Sequence, residues 1–270
     1  ALIFGGISSV NNRTYSPLKQ IFGNNLDLST QTESVMGIAS SGAPTNLKAS
    51  QNAITMLFGG SGATVLDGSG KIPQFLFAGT GDTTIIGSDA NDWIQAGIGN
   101  DVISAGAGND QIIGSNGYNT IDGGTGFDVL MFSKNPDKFT STKTDKGYNV
   151  SIQFNDGQST EALSNVERLK FPTSTIAFDL DGNAGQAYRI YQAAFDRKPD
   201  ATGLGYWISM LDKGATLKSV GDGFIGSAEF QSLYGTSPSN AAFVDALYKN
   251  VLHRAGEQGG VNYWNGLLNS

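Results

Sequence analysis

The chain has 270 residues, 37 of them Gly, with no Cys, a single His and a formal net charge of −7. This length holds one to three domains with a buried core; lacking Cys, it has neither a disulfide scaffold nor a thiolate-held zinc or iron–sulfur centre, and His253 alone excludes multi-histidine metal sites. The acidic balance makes nucleic acid and anionic membranes poor partners, and no run approaches the ~18 apolar residues of a membrane span. The chain opens at Ala1 without a basic, apolar leader and reads as a processed or trimmed piece. Residues 1–77, rich in Gly, Ser, Thr and Asn, read as irregular β-structure and as an N-terminal extension of the array that follows. Ser29–Ser41 reads as loop rather than as a source of nucleophiles.

Between Ala78 and Met131 stand seven Asp, with no Glu, Lys or Arg. Subtracting them from 24 acidic residues leaves 17, matched by 17 basic residues elsewhere, so the whole net charge lies in this window. The window has a period of nine: AGTGDTTII, GSDANDWIQ, AGIGNDVIS, AGAGNDQII, GSNGYNTID and GGTGFDVLM. The eighth position is Ile85, Ile94, Ile103, Ile112, Ile121 and Leu130; the sixth is Thr83, Asp92, Asp101, Asp110, Asn119 and Asp128. A fading copy precedes it at Gly59–Asp67, with Leu66 in the apolar place and no Asp at the sixth.

Small residues in the first four positions let each hexad turn sharply, and the last three form a short strand whose middle side chain points inward. Two repeats then complete a coil, and residues two repeats apart stack about 4.8 Å apart. Asp92, Asp110 and Asp128 stack on one edge; Thr83, Asp101 and Asn119 stack on the other. Carboxylates about 5 Å apart repel by roughly 1 kcal/mol in water and ~3 kcal/mol at an effective dielectric of 20. Carboxylates and turn carbonyls, with neither sulfur nor imidazole, describe a hard-cation site that favours Ca²⁺ over Mg²⁺.

AGIGNDVIS, AGAGNDQII and GGTGFDVLM resemble the RTX family of secreted bacterial proteins, whose nonapeptide GGxGxDxUx builds a calcium-binding parallel β-roll. The resemblance covers about a fifth of the chain. It implies ions held by the sixth-position Asp and by loop carbonyls of two stacked turns, hence two well-formed sites among loops 87–92, 105–110 and 123–128. The implied ligands there are Gly87, Asp89 and Asp92; Ala105, Gly106, Ala107, Gly108 and Asp110; and Gly124, Gly126 and Asp128. On the other edge they are Gly97, Gly99, Asp101 and Asn119. Thr83 and Asn119 depart from the family's Asp, so sites flanking Asp101 are expected to be weaker, with Asp82 offering a carboxylate one residue away.

From Phe139 to Leu180 the pattern alternates, with turns at Asp145–Gly147 and Asn155–Gly157. Tyr148, Val150, Ile152 and Phe154 face one way, and these strands are expected to cover the end of the roll. Ser164–Phe171 resembles the segment that closes many RTX arrays. Asp179–Asn183 is not an EF-hand, its Gly standing fourth and no Glu twelfth; a turn with an Asn or Asp helix cap accounts for it.

From Asn183 the period is helical. Tyr191, Arg197, Gly203, Tyr206 and Trp207 recur, at the same mutual spacing, as Tyr248, Arg254, Gly260, Tyr263 and Trp264, with further helices over Leu217–Phe230. The aromatics read as core anchors rather than a ligand cage, and the second copy reads as cut within a repeat. This part resembles an uncharacterised helical domain that often follows RTX arrays. The expected architecture is β + α multidomain: 1–77 β-rich, 78–138 parallel β-roll, 139–182 capping antiparallel strands, and 183–270 an all-α domain.

GxSxG and HExxH are absent, and His253, beside Arg254 at a helix end, suits contact with terminal carbonyls better than base catalysis. The expected function is a non-enzymatic, calcium-stiffened module of a secreted or surface protein of surface-layer or adhesin type, folding on Ca²⁺ after export. Self-association and a cell-surface polysaccharide or protein are the expected partner classes, without nucleic acid and without membrane insertion. Two alternatives stand: the non-catalytic tail of a secreted metalloprotease or lipase, and a lectin role for the Trp- and Tyr-bearing helices.

Overall fold

A repeat that supplies one inward aliphatic per turn cannot bury it alone, so successive turns must stack. The computed structural model describes residues 18–39, 42 and 44–269; expectations for residues 1–17, Ser40, Ser41 and Ala43 lie outside them. Strands alternate between two sheets, two per coil. They are β1 (Lys19–Phe22) and β2 (Asn25–Asp27), β3 (Val35–Ile38) and β4 (Thr45–Lys48), and β5 (Thr55–Phe58) and β6 (Thr64–Asp67). The series continues with β7 (Phe75–Phe77) and β8 (Thr83–Ile86), β9 (Trp93–Gln95) and β10 (Val102–Ser104), and β11 (Gln111–Ile113) and β12 (Gly117–Asp122). Odd strands pair in parallel with odd, even with even, making a parallel β-solenoid of six coils among the described residues.

Where the nonapeptides repeat, one coil is two of them, as in the pairs Phe75↔Trp93, Thr84↔Val102 and Gln111↔Val129. Earlier coils vary. Lys19 pairs with Val35, short of two nonapeptides, whereas Val35 pairs with Thr55 and Asn25 with Asn46, both beyond that length. The N-terminal strands nonetheless belong to the same two sheets. β3 runs through the Ser29–Ser41 stretch expected to be loop, because Val35 and Met36 are buried against the core.

Two inward columns form a thin core. Leu47, Leu66, Ile85, Ile103 and Ile121 stand on one sheet, Leu57, Leu76, Ile94, Ile112 and Leu130 on the other, and none is more than 1% exposed. Burial of each such side chain contributes about 1.5–3 kcal/mol. In β9, β10 and β11 the side chains flanking the inward one are exposed or half-buried, which fits a coil with a one-sided core.

β13 (Val129–Met131) continues one sheet. The chain then forms β14 (Lys138–Lys143), β15 (Tyr148–Phe154) and β16 (Gly157–Ser164), an antiparallel meander whose last strand lies parallel to β12. β17 (Arg168–Lys170) lies parallel to β13, and β18 (Thr175–Ala177) follows it. Phe132, Phe154 and Phe171 cluster here, with ring centroids 5.5 and 5.8 Å apart, and cover the final Leu130 layer. The capping role expected of these strands is carried by β16 and β17, which occupy the places of the next coil.

The chain divides into two units, Ala1–Ile176 and Ala177–Ser270. Among its described residues the second holds six helices: α1 (Asn183–Phe195), α2 (Ala201–Asp212), α3 (Leu217–Ile225), α4 (Ala228–Tyr234), α5 (Asn240–Leu252) and α6 (Gln258–Leu268). Their starts are cut by polar caps: Asp200 accepts from the Gly203 N–H at 2.7 Å, and Thr216, Ser227 and Ser239 cap α3, α4 and α5. Gly182 caps α1 without a side-chain bond, while Asp179 accepts from Ala184 N–H at 3.2 Å. α1 and α5 end on left-handed residues, Asp196 and His253; His253 Nε2 lies 3.6 Å from Asp196 Oδ1 instead of over helix carbonyls.

Tyr191, Phe195, Leu211, Val220, Phe224 and Phe230 form the core of this unit. Tyr191 and Tyr248 are the anchors the pattern promised. Tyr206, Tyr263 and Trp264 are not: each is at least half exposed.

Candidate metal centre

Because every sixth position ends a turn and precedes an inward aliphatic, its side chain is drawn into the coil. Asp92, Asp101, Asp110 and Asp128 are buried, as are Thr83 and Asn119. On one edge each sixth side chain accepts from the backbone N–H of the sixth residue one coil earlier. Asp92 Oδ1 takes Gln74 N–H at 2.6 Å, Asp110 Oδ1 takes Asp92 N–H at 2.7 Å, and Asp128 Oδ1 takes Asp110 N–H at 2.8 Å. The ladder continues below, where Gln74 Oε1 takes Thr55 N–H at 2.7 Å, and above, where Glu167 Oε2 takes Asp128 N–H at 2.7 Å.

The other edge follows the same rule. Asp101 Oδ1 accepts from Thr83 N–H and Asn119 Oδ1 from Asp101 N–H, each at 2.9 Å. Asn119 Nδ2 then donates to Glu161 Oε1 at 3.2 Å, and Ser159 Oγ donates to the same oxygen.

Fifth positions run a second ladder in the reverse sense. Asn91 Oδ1 accepts from Asn109 N–H at 2.7 Å and Asn109 Oδ1 from Phe127 N–H at 2.9 Å; Asp82 Oδ1 accepts from Asn100 N–H at 2.8 Å. Asp82 is therefore held in the fifth-position ladder and does not slip into the sixth.

The stacked hexads come close enough that glycine is required. At Gly124 (φ +92°) and Gly126 (φ +134°) an added Cβ would run into the carbonyls of Gly106 and Gly108 in the coil below. The loops are tied by Ala107 N–H to Ser88 O at 3.0 Å, Thr125 N–H to Gly106 O at 3.0 Å and Gly108 N–H to Thr125 O at 2.8 Å.

Second carboxylate oxygens decide what the site can do. Asp101 Oδ2, Asp110 Oδ2, Asp128 Oδ2 and Glu161 Oε2 are buried with no hydrogen-bond partner among the described residues. Such oxygens are rare and costly in folded proteins. Burial raises the carboxyls of Asp92 and Asp101, pushes Asp110 up to about 6 and pushes Asp128 and Glu161 up to about 7; neighbouring carboxylates add to it for Asp101, Asp110, Asp128 and Glu161. Stacked, uncompensated anionic oxygens beside turn carbonyls fit a hard divalent cation.

Asp92 differs. Its Oδ2 accepts from Ser88 N–H at 2.6 Å and its Oδ1 also takes Ser88 Oγ at 2.9 Å, so loop 87–92 satisfies its own carboxylate. What serine adds at the repeat's second position is the hydroxyl bond to Oδ1; the bond to Oδ2 comes from its backbone N–H. Asp89 is exposed at the surface. Among the described residues no three His, Cys, Asp or Glu gather as a metal cluster, so carbonyls would have to supply most ligands of any ion held here.

The pattern missed Glu161 and Glu167, which reach Asn119 and Asp128 from capping strand β16 and from the turn just before β17, both off the register of nine. Glu161 had one legible signal: it sits between Ser159 and Leu163 on the inward face of an alternating strand, where a charge is out of place.

Residues 77–112 and 97–130 match the family described as RTX calcium-binding nonapeptide repeat (4 copies), and residues 183–233 and 221–270 match a domain of unknown function, DUF4214. No curated protein and no solved structure matches the chain. Among the described residues no helix is long and apolar enough to cross a membrane. The chain carries RTX calcium-binding repeats set within a longer parallel β-solenoid, followed by a tandem DUF4214 region of six helices.

Proposed function

We propose that this is a non-enzymatic calcium-binding module of a secreted or cell-surface bacterial protein, of surface-layer or adhesin type, whose roll folds on calcium after export. The observation that carries the reading is the set of buried carboxylate oxygens left without donors in stacked turns. Asp110 and Asp128, with the carbonyls of Ala105, Ala107, Gly124 and Gly126, hold the ion between loops 105–110 and 123–128. A second ion lies between loops 87–92 and 105–110, where Asp110 and the carbonyls of Gly87, Asp89, Gly106 and Gly108 do most of the work because Asp92 is engaged by Ser88. On the other edge Asp101, Gly97, Gly99 and Asn119 are closed by Glu161.

Calcium supplies the positive charge and the empty coordination positions that these oxygens lack. The chain's own part is to hold the carboxylates in register and to exclude water from them. Extracellular modules bind calcium at roughly 10⁻⁴–10⁻³ M. At tenfold that concentration each site contributes about 1.4 kcal/mol to folding, and in a calcium-poor cytosol almost nothing. The roll is thus loose before export and rigid after it.

Calorimetric titration of the full chain with CaCl₂, read beside far-ultraviolet circular dichroism in chelator and in calcium, tests this. The expected result is saturable binding of two or more ions with a gain of β-structure. Identical spectra in both buffers, with no heat of binding, overturn the reading. Recovery of the protein in the culture supernatant or on the cell surface tests its location.

A further inference from the structure

The helical unit repeats itself, and among the described residues the two copies differ in what packs on them. The internal repeat carries α1 onto α5 and α2 onto α6. In the first copy α3 and α4 lie over the pair. Phe224 of α3 sits among Trp207, Phe195 and Tyr191, with ring centroids 4.8, 5.1 and 5.3 Å away. Gly223 lies against the Trp207 indole so closely that a Cβ there would collide with it. Glu229 of α4 grips Arg197 through two bonds of 2.6 and 2.9 Å.

In the second copy Tyr248, Leu252 and Trp264 take the places of Tyr191, Phe195 and Trp207. With Val251 and Leu268 they line an apolar cavity of about 380 Å³. Phe195 and Leu211 are each 6% exposed, whereas their counterparts Leu252 and Leu268 are 50% and 47% exposed. Arg254 lies 5.2 Å over the Tyr248 ring, as Arg197 lies 5.1 Å over Tyr191. Each arginine pairs with the acidic residue that opens the next helix, Asp200 for Arg197 and Glu257 for Arg254. Arg197 receives a second carboxylate from Glu229; Arg254, stacked over the Tyr248 ring that lines the cavity, holds the equivalent position and pairs with Glu257.

We infer that this face of α5 and α6 is a docking site for an acidic amphipathic helix pair of the α3–α4 pattern. The partner brings a Phe anchor for the cavity, a β-branched residue four positions before it, Gly immediately before it, and a Glu five positions after it for Arg254. Val220, Gly223, Phe224 and Glu229 show that pattern filled in the first copy. Apolar fit supplies the affinity, and Arg254, stacked on the Tyr248 of the cavity wall, selects an acidic partner over a basic one.

The chain itself provides the probe. A labelled peptide of residues Gly214–Gly235, titrated with the full chain and followed by fluorescence anisotropy, is expected to bind saturably. A Phe224→Ala peptide, or a Leu252→Arg chain, is expected to bind at least tenfold more weakly, and a Glu229→Lys peptide severalfold more weakly. Because a short peptide loses much entropy on becoming helical, the same sequence is also appended after Ser270. Acrylamide quenching of Trp264, with a Trp264→Phe chain as blank, is expected to fall at least twofold in the fusion. Silence in both experiments, or equal binding by the Phe224→Ala peptide, overturns the inference. So does a concentration-dependent dimer that Leu252→Arg dissolves while the peptide fails to bind, since the face then belongs to a second copy.

Discussion

Replacing Asp128 by Asn separates charge from shape at the most burdened carboxylate. Asp128 is fully buried, its Oδ1 holds the Asp110 N–H at 2.8 Å, and its Oδ2 has no partner. Its pKa rises from 3.8 to about 7, burial being the main cause. In chelator at pH 8 that difference handicaps the ionised fold by about 4 kcal/mol. Asn keeps the Oδ1 acceptor and removes the charge, but leaves an amide N–H₂ whose unmet bonds cost about 1–3 kcal/mol. Asp128→Asn is therefore expected to stabilise the calcium-free roll by roughly 1–3 kcal/mol and to weaken its response to calcium. The folded chain holds a proton that the unfolded chain has already lost, so the wild-type handicap is complete above pH 7 and shrinks as pH falls, to about 2 kcal/mol at pH 5. Urea denaturation at pH 8 and pH 5, in chelator and in calcium, reads all of this. Equal destabilisation by Asp128→Asn in both buffers would refute the idea that these carboxylates are a charge burden relieved by a cation.

Hydrogen exchange in chelator is expected to protect the coils of β4 to β7, whose sixth positions Thr45, Thr55, Thr64 and Gln74 are neutral, while residues 101–131 exchange freely; added calcium is expected to slow the latter by at least tenfold. Gly124→Ala is expected to destabilise the calcium-bound roll by more than ~2 kcal/mol, because a Cβ there meets Gly106 O at a φ of +92°; thermal unfolding in calcium checks it, and the α-helical signal should persist. Ile112→Ala opens a void in a core only two inward columns wide and is expected to cost about 2–5 kcal/mol, read from urea midpoints in calcium. Calcium affinity of the wild type is expected to fall as pH drops from 8 to 6, since protons compete at Asp110 and Asp128; titration at both pH values measures it.

The roll was legible where sequence period and coil length coincide. From Phe75 to Met131 each coil is two nonapeptides, so the eighth-position aliphatics and sixth-position carboxylates fall in register as strings. Upstream, coils shorter or longer than that hide the same architecture, because Leu47, Leu57 and Leu66 serve the same inward columns at uneven spacing. The carboxylates of the array could be read from its pattern. Glu161 and Glu167 could not, being delivered by β16 and the turn after it, at the end of a long antiparallel excursion. Nor could Ser88's hold on Asp92, since it joins a hydroxyl bond that serine adds to a backbone N–H bond set by the turn itself. In the helical unit the internal repeat predicted equivalent folds. It could not say that Trp207 packs on Phe224 while Trp264 stands half exposed, for that depends on which helix lies above.

The two polar ladders run in opposite senses, sixth positions reaching back one coil and fifth positions reaching forward. Each junction is therefore fastened from both sides, yet junctions follow one another in series, so a tensile load along the roll acts equally on all of them and the weakest yields first. On the proposed calcium sites, the weakest without a cation would lie among the like-charged turns of Asp110 and Asp128; with one these turns would become clamps, and the yield point would move elsewhere. A shaft of this kind would tune its pulling strength by the ionic composition of the surrounding medium.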